Sequence, residues 1–216
     1  MDVIEVRDLR VRFGERDAVR DVSFTVARGE MYALLGRHGA GKTTLLEVGA
    51  GLRRPTGGTV RVCGVDPYER RDALRAGTVW RDGGLFPGLT VGEVVDAWRR
   101  WTLDPLTAAE ALRLAGLSGL ENVPFERLTP GERRLLDVAL VLLARSDVLF
   151  LDEPTADLQD APRERVWGVL RALSAHGVTV LMTTRSPDEA CRADRVGILD
   201  EGRLVTGGDE AHPKAA

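Results

Sequence analysis

Residues 36–44 read GRHGAGKTT and fit the pattern glycine, four residues, Gly-Lys-Ser/Thr, with Gly36, Gly41, Lys42 and Thr43 in the defining places. The apolar run 31–35 ahead of them is a buried-strand candidate, and 44–48 behind them can start a helix. The glycines therefore fall at a strand-to-helix turn, the context in which this pattern means a phosphate-binding loop. Glycines let backbone N–H groups close around phosphate oxygens, and the N-terminus of the following helix favours negative charge. The cradle is expected to comprise Gly36, Gly39, Ala40, Gly41, Lys42, Thr43 and Thr44, with Lys42 reaching β- and γ-phosphates and the Thr43 hydroxyl taking a Mg²⁺ position. Among thirty lysines and arginines, only Lys42 and Lys214 are lysine. A compact ammonium is thus kept in the loop that needs a point charge.

At 216 residues the chain can bury one sizeable core with a smaller subdomain. A net charge of −3 gives no polybasic footprint, so nucleic acid is not an expected partner. Cys63 and Cys191 lie far apart and in no metal-ligand spacing, which suits a reducing cytoplasm. The start, MDVIEVRD, has acids where a signal peptide needs bases, and the most apolar run, 135–144, is too short to span a bilayer and contains Asp137.

Partial alternation over 2–13 and the run 19–26 predict two strands, and 59–63 a third. Residues 91–101 and 108–117 have helical spacing. Residues 128–132 read LTPGE before a helix reaching about 144, with Thr129 and Glu132 as a capping-box pair and Pro130 at the favoured first helical position. A helix over 163–174 and strands over 148–151, 178–182 and 196–199 follow, and the tail after Gly208 is expected to be disordered. Trp98 and Trp101, three apart, are expected to pack, the alternative being contact with a helix of a partner subunit. The arginine-rich stretches 69–75 and 163–171, interspersed with acids, are expected to be solvated helix faces.

The run VLFLDEPT at 148–155 places Asp152 and Glu153 at the carboxyl end of an apolar strand, where open α/β sheets bind ligands. Behind a P-loop, Asp152 is the expected Mg²⁺ residue, and Glu153 stands where a general base can polarise the attacking water.

With these motifs in order, the chain resembles the ATP-binding subunit of an ATP-binding cassette (ABC) transporter over nearly its whole length. GRHGAGKTT is similar to that family's Walker A loop and VLFLDEPT to its Walker B strand with the catalytic glutamate. LTPGERR falls at the LSGGQ signature, residues 154–160 at the D-loop, and 183–190 at the switch segment. The resemblance implies an α/β P-loop NTPase (RecA-like) with a parallel-sheet core, a small N-terminal antiparallel β part and a helical subdomain at about 90–145, all within one domain over 1–208. It implies ATP and Mg²⁺ as cofactors, Phe13 stacked on adenine, and two cassettes sandwiching two ATPs, with Thr129 and Gly131 facing the other chain's nucleotide. Separately encoded transmembrane permease subunits, cytoplasmic placement at the inner membrane face and, from LFPGLTVGEVV at 85–95, an exporter-type system are implied as well.

Several positions depart from the family pattern. Arg81 stands for the Q-loop glutamine and Arg185 for the switch histidine; Pro130 replaces the first signature glycine, and Gln159 the D-loop aspartate. An arginine cannot ligate a cation, and it cannot shuttle a proton. Arg185 can still bond a γ-phosphate. Codon bias and specialisation both explain such changes, and both imply slowed hydrolysis. A soluble ATP-binding regulator that switches by dimerising is the alternative function. A nucleotide kinase is disfavoured by the signature segment.

Overall fold

The computed structural model describes residues 1–207; the expectation for the tail, with His212 and Lys214, lies outside the described residues. Strands β1 (Asp2–Phe13) and β2 (Arg16–Ala27) form an antiparallel hairpin, and β4 (Gly57–Val62) pairs on the other side of β1. The inward phase of β1 changes from Ile4 and Val6 to Leu9 and Val11 across a register shift between Val6 and Leu9. Asp8, with φ 47°, sits in that shift. One extra residue moves the apolar set from even to odd positions while keeping it on one face.

The second sheet contains β3 (Met31–Leu35), β5 (Ala76–Val79), β6 (Val148–Asp152), β7 (Thr179–Thr184), β8 (Arg195–Asp200) and β9 (Arg203–Thr206). Among the described residues their order is β5-β6-β7-β3-β8-β9, parallel except for β9. Side chains of the central strands alternate between two cores. Met31, Ala33, Leu149, Leu151, Val180 and Met182 face one, whereas Tyr32, Leu34, Val148, Phe150 and Leu181 face the other. Burial on both faces is why these strands read as continuous apolar runs in sequence.

Helix α1 (Lys42–Gly49) follows β3 and packs with the hairpin in the second core. Between β5 and β6 the chain forms α2 (Val91–Arg100), α3 (Ala108–Leu114) and α4 (Pro130–Leu142). Their apolar faces, Val91, Val94 and Val95 of α2 among them, share the first core with α5 (Asp160–Ala175), which buries Val166, Trp167, Leu170 and Leu173. A short α6 (Pro187–Ala190) precedes β8.

Two sequence expectations change. Residues 69–75 do not form a helix face: only a 3₁₀ turn, Arg71–Ala73, precedes extended Leu74 and the unanticipated edge strand β5. Trp101 does not pack; it is 90% exposed, and Trp98, 46% exposed, meets Phe86 edge-on at 6.0 Å. Trp98 shares the helix face of Val91, Val94 and Val95, two turns beyond Val91, but stays half-exposed at the end of that stripe, and Trp101 caps the C-terminus of α2, past its last helical turn.

Candidate functional site

The loop of residues 36–41 leaves β3 between β2 and β8, and close backbone approach dictates its composition. A Cβ on Gly36 would lie 2.4 Å from the Leu199 carbonyl oxygen, and one on Gly41 2.4 Å from that of Ala18. Gly41 also has φ 103° and caps α1 without a side-chain hydrogen bond, leaving the first-turn N–H groups of that helix directed at the loop. Lys42 is buried to 5% exposure. Its ammonium donates to the carbonyls of Gly36 (2.7 Å) and Arg37 (3.0 Å), which hold it over the loop. Burial lowers its pKa, Glu153 and Asp152 oppose that shift, and Arg185 adds to it. A cleft of about 320 Å³ opens here, lined by Phe13, His38, Gly39, Lys42, Thr43 and Thr44, with Glu153 at its edge.

The strand order then assembles the charged groups. Trp80 and Arg81 follow β5, Asp152 ends β6 and Glu153 follows it, and Thr184 ends β7 and Arg185 follows it. These three strands are parallel neighbours, so Arg81, Glu153 and Arg185 emerge side by side at their carboxyl ends.

Asp152 accepts from the Thr43 hydroxyl (3.1 Å to Oδ2) and from the Thr183 hydroxyl (2.6 Å to Oδ1). Thr183 Oγ1 in turn accepts from the Glu153 N–H at 3.0 Å. The two residues expected at a metal, 109 positions apart, are thus in direct contact. A hydroxyl beside a carboxylate is a pair of hard oxygen donors, which suits Mg²⁺ held by few protein ligands with phosphates and water. Among the described residues no cluster of three or more His, Cys, Asp or Glu could hold a metal alone.

Glu153 is 9% exposed and adopts a left-handed φ of 46°. Arg185 reaches its Oε2 with Nε (3.0 Å) and Nη2 (2.8 Å), Arg81 Nη1 stands 3.5 Å from the same oxygen, and Lys42 Nζ lies 3.9 Å from Oε1. Arg81 Nη2 also donates to Asp157 Oδ2 at 3.0 Å. The Arg81 pKa is raised, by the hydrogen bond to Asp157 first and by the Glu153 charge second. Both arginines, read from sequence against a metal and a γ-phosphate, converge on the carboxylate instead.

Phe13 ends β1 with 43% exposure, and the Arg53 guanidinium carbon lies 4.4 Å from its ring centroid. Thr129 and Gly131 do not line the cleft. Thr129 caps α4, its hydroxyl donating to Glu132 Oε2 (2.8 Å) and accepting from the Glu132 N–H (3.3 Å). Gly131 is pressed against α5, where a Cβ would meet Pro162 Cβ at 2.7 Å.

Sequence reasoning passed over three groups. Thr183 was legible as a buried hydroxyl closing an apolar strand. Glu189 accepts from the Thr155 and Thr184 hydroxyls, each at 2.7 Å, tying the segment after Glu153 to the residue before Arg185. Arg134, 9% exposed, donates to the Trp80 carbonyl (2.6 Å) and the Arg81 carbonyl and lies 3.7 Å from Asp137, which accepts from the Gly84 N–H at 3.0 Å. An Arg and an Asp three apart inside the apolar face of α4 were the available signal.

A glycine loop between strand and helix, a buried lysine and a carboxylate pair at the end of a parallel strand one removed in the same sheet define a P-loop NTPase. The ABC transporter family matches residues 19–156, and the chain belongs to it. The chain is 38% identical over 213 residues, 95% of its length and 70% of the relative's, to the Nod factor export ATP-binding protein I of Burkholderia lata. It is 35% identical over 221 residues, 99% of its length and 67% of the relative's, to the daunorubicin/doxorubicin resistance ATP-binding protein DrrA of Streptomyces peucetius. Its fold matches cbiO1 of Clostridium perfringens, part of the ABC transporter complex cbiONQ, with TM-score 0.85 and 25% identity over 95% of this chain and 87% of that one. It also matches the ATP-binding cassette MJ0796, determined as a dimer with ADP and Pi, with TM-score 0.79 and 24% identity over 94% and 97%. Among the described residues no helix is long and apolar enough to cross a membrane.

Proposed function

We propose that this chain is the ATP-binding subunit of an export-type ABC transporter, binding MgATP in the 36–44 loop and hydrolysing it slowly. The observation that carries this reading is the convergence of Lys42, Thr43 and Glu153, from two distant motifs, on one cleft, with Asp152 bonded to Thr43 behind it. The loop N–H groups and Lys42 bind the phosphates, and Phe13, at the cleft edge, stacks on the base. Thr43 and Asp152 would hold Mg²⁺, which supplies charge neutralisation to phosphoryl transfer. Glu153 is the group placed to take a proton from water. With its Oε2 shared between Arg185 and Arg81, fewer lone pairs remain to accept that proton, so turnover is slow.

Residues 1–208 act as one ATP-binding domain, with α2, α3 and α4 as its helical part. Thr129 and Gly131 serve a nucleotide bound by a second cassette. The relative named for Nod factor export supports the transporter reading over the soluble regulator. So do the exposed apolar side chains of Leu85, 76% exposed, Trp98 and Trp101, which offer contacts for a membrane subunit at the cytoplasmic side. Calorimetry with MgATP tests the site. Lys42→Ala is expected to abolish binding, and unchanged affinity would falsify the assignment.

A further inference from the structure

We infer that Arg53 is a positioning residue for the nucleotide base, backing the Phe13 ring from outside the cleft and tying it to the helix that follows the phosphate loop. The inference rests on the proposed nucleotide site and adds how its base end is held relative to its phosphate end. Phe13 stands at the tip of the β1–β2 hairpin, and among the described residues no other aromatic ring packs against it. A half-exposed ring at a hairpin tip makes a poor platform unless something holds it, because a stacking base would have to immobilise it first.

Arg53 supplies that hold. Its guanidinium carbon stands 4.4 Å from the Phe13 ring centroid, and its Nε donates to Glu47 Oε2 at 2.5 Å. Glu47 belongs to α1, the helix that begins at Lys42. One series of contacts therefore runs from the phosphate-binding helix through a carboxylate and a guanidinium to the ring. The segment carrying Arg53 is itself fixed. The Leu52 N–H donates to the Glu47 carbonyl at 2.8 Å, and the Thr56 N–H and hydroxyl both donate to the Arg10 carbonyl of β1, at 2.8 and 3.0 Å. The side of approach decides what Arg53 can do. Phe13 and Arg16 line the cleft and Arg53 does not, so the guanidinium covers the ring outside the cleft and leaves its inner side to a base. A cation against one π face draws electron density from the other, which lowers its repulsion toward a stacked purine. Both effects act on the base alone. The ammonium that serves the phosphates is held by the Gly36 and Arg37 carbonyls, whereas Arg53 bonds to Glu47.

Calorimetry of the full chain with MgATP and with the magnesium complex of inorganic tripolyphosphate separates base binding from phosphate binding. Arg53→Met, which keeps the stem and removes the cation, is expected to weaken MgATP about fivefold and tripolyphosphate by less than about twofold. Arg53→Lys, which restores a cation over the ring, is expected to recover most of that loss. In a Phe13→Leu background, with no ring left to back, adding Arg53→Met is expected to change MgATP affinity by less than about twofold. Glu47→Gln leaves Arg53 in place and loosens its anchor; it is expected to weaken MgATP about threefold with tripolyphosphate unchanged, and it carries the test if Arg53→Met fails to fold. MgATP binding that is unchanged or tightened in Arg53→Met, a matching loss for tripolyphosphate, or an equal loss without the ring overturns the inference while leaving the nucleotide site intact. Failure of the unmodified chain to bind either ligand overturns the site itself, and the inference with it.

Discussion

At the scale of single residues the chemistry turns on Glu153 and the two guanidiniums that share its Oε2. Replacing Arg81→Gln and Arg185→His together frees that oxygen and removes positive charge beside the metal position. The double variant is expected to raise ATP turnover by about tenfold or more. A rate equal to that of the unmodified chain in a phosphate-release assay would show that the cage is not the brake. Arg134 matters through structure. It joins α4 to the segment carrying Arg81 by holding the carbonyls of Trp80 and Arg81, with Asp137 as its ion partner. Burial lowers the Arg134 pKa and raises that of Asp137, so each is charged at a cost that the other offsets. Arg134→Met is expected to destabilise the fold by about 3 kcal/mol, because it strands Asp137 and two carbonyls. Adding Asp137→Leu should recover part of that loss in thermal unfolding. No recovery would mean that the pair's charges are not what couples them.

At the scale of elements, α2, α3 and α4 start alike. Thr90, Thr107 and Thr129 each cap a helix and exchange hydrogen bonds with Glu93, Glu110 and Glu132 three residues on. Each carboxylate accepts bonds only in the folded state, and all three pKa values are lowered from 4.5: for Glu93 and Glu132 the bond from the threonine N–H is the largest cause, for Glu110 that from the hydroxyl. A carboxylate held lower in the folded state stabilises it above the unfolded pKa, and that contribution fades as pH falls through the lower folded value. Glutamine at the same position keeps the box without titrating. The Glu93→Gln and Glu110→Gln double variant is therefore expected to lose less helical ellipticity than the unmodified chain on acidification below pH 4.5. Superimposable acid profiles would remove the carboxylates from the account. Thr129→Ala, which deletes the cap of α4, should cost about 1 kcal/mol at neutral pH.

For the whole molecule the question is what faces it. In a homodimer both nucleotide sites would carry the caged Glu153, and both would meet Pro130, which lacks an N–H at the start of the signature helix. Opposite a different cassette, one site would combine that partner's own base with Thr129 and Gly131 of this chain. We therefore expect ATP to favour a heterodimer. Co-expression with candidate cassettes, followed by sizing with ATP, checks this. A homodimer that drives transport by itself would refute it. The same experiment extended to a membrane subunit, with Trp101→Ser as the variant, tests the apolar contacts: capture should weaken several-fold while nucleotide affinity holds.

What the sequence determined by itself is local. Period and glycine placement set the strand, loop and helix around Lys42, since those torsions and that burial depend on neighbours in the chain. The start of α4 followed from its cap, and α2 from its spacing, for the same reason. The alternation that splits the central strands between two cores could not be read, because strands buried on both faces show only continuous apolar runs. Strand β5, four residues long and preceded by arginines, was too short to leave a pattern, and β9 likewise. Yet β5 beside β6 beside β7 is what brings Arg81 and Arg185 to one carboxylate, 72 and 32 residues away in the chain. Contact between charges so far apart is set by strand order and by which rotamers the packed sheet edge allows. Only the tertiary structure decides those, because their energies come from pairings between segments and not from any one segment.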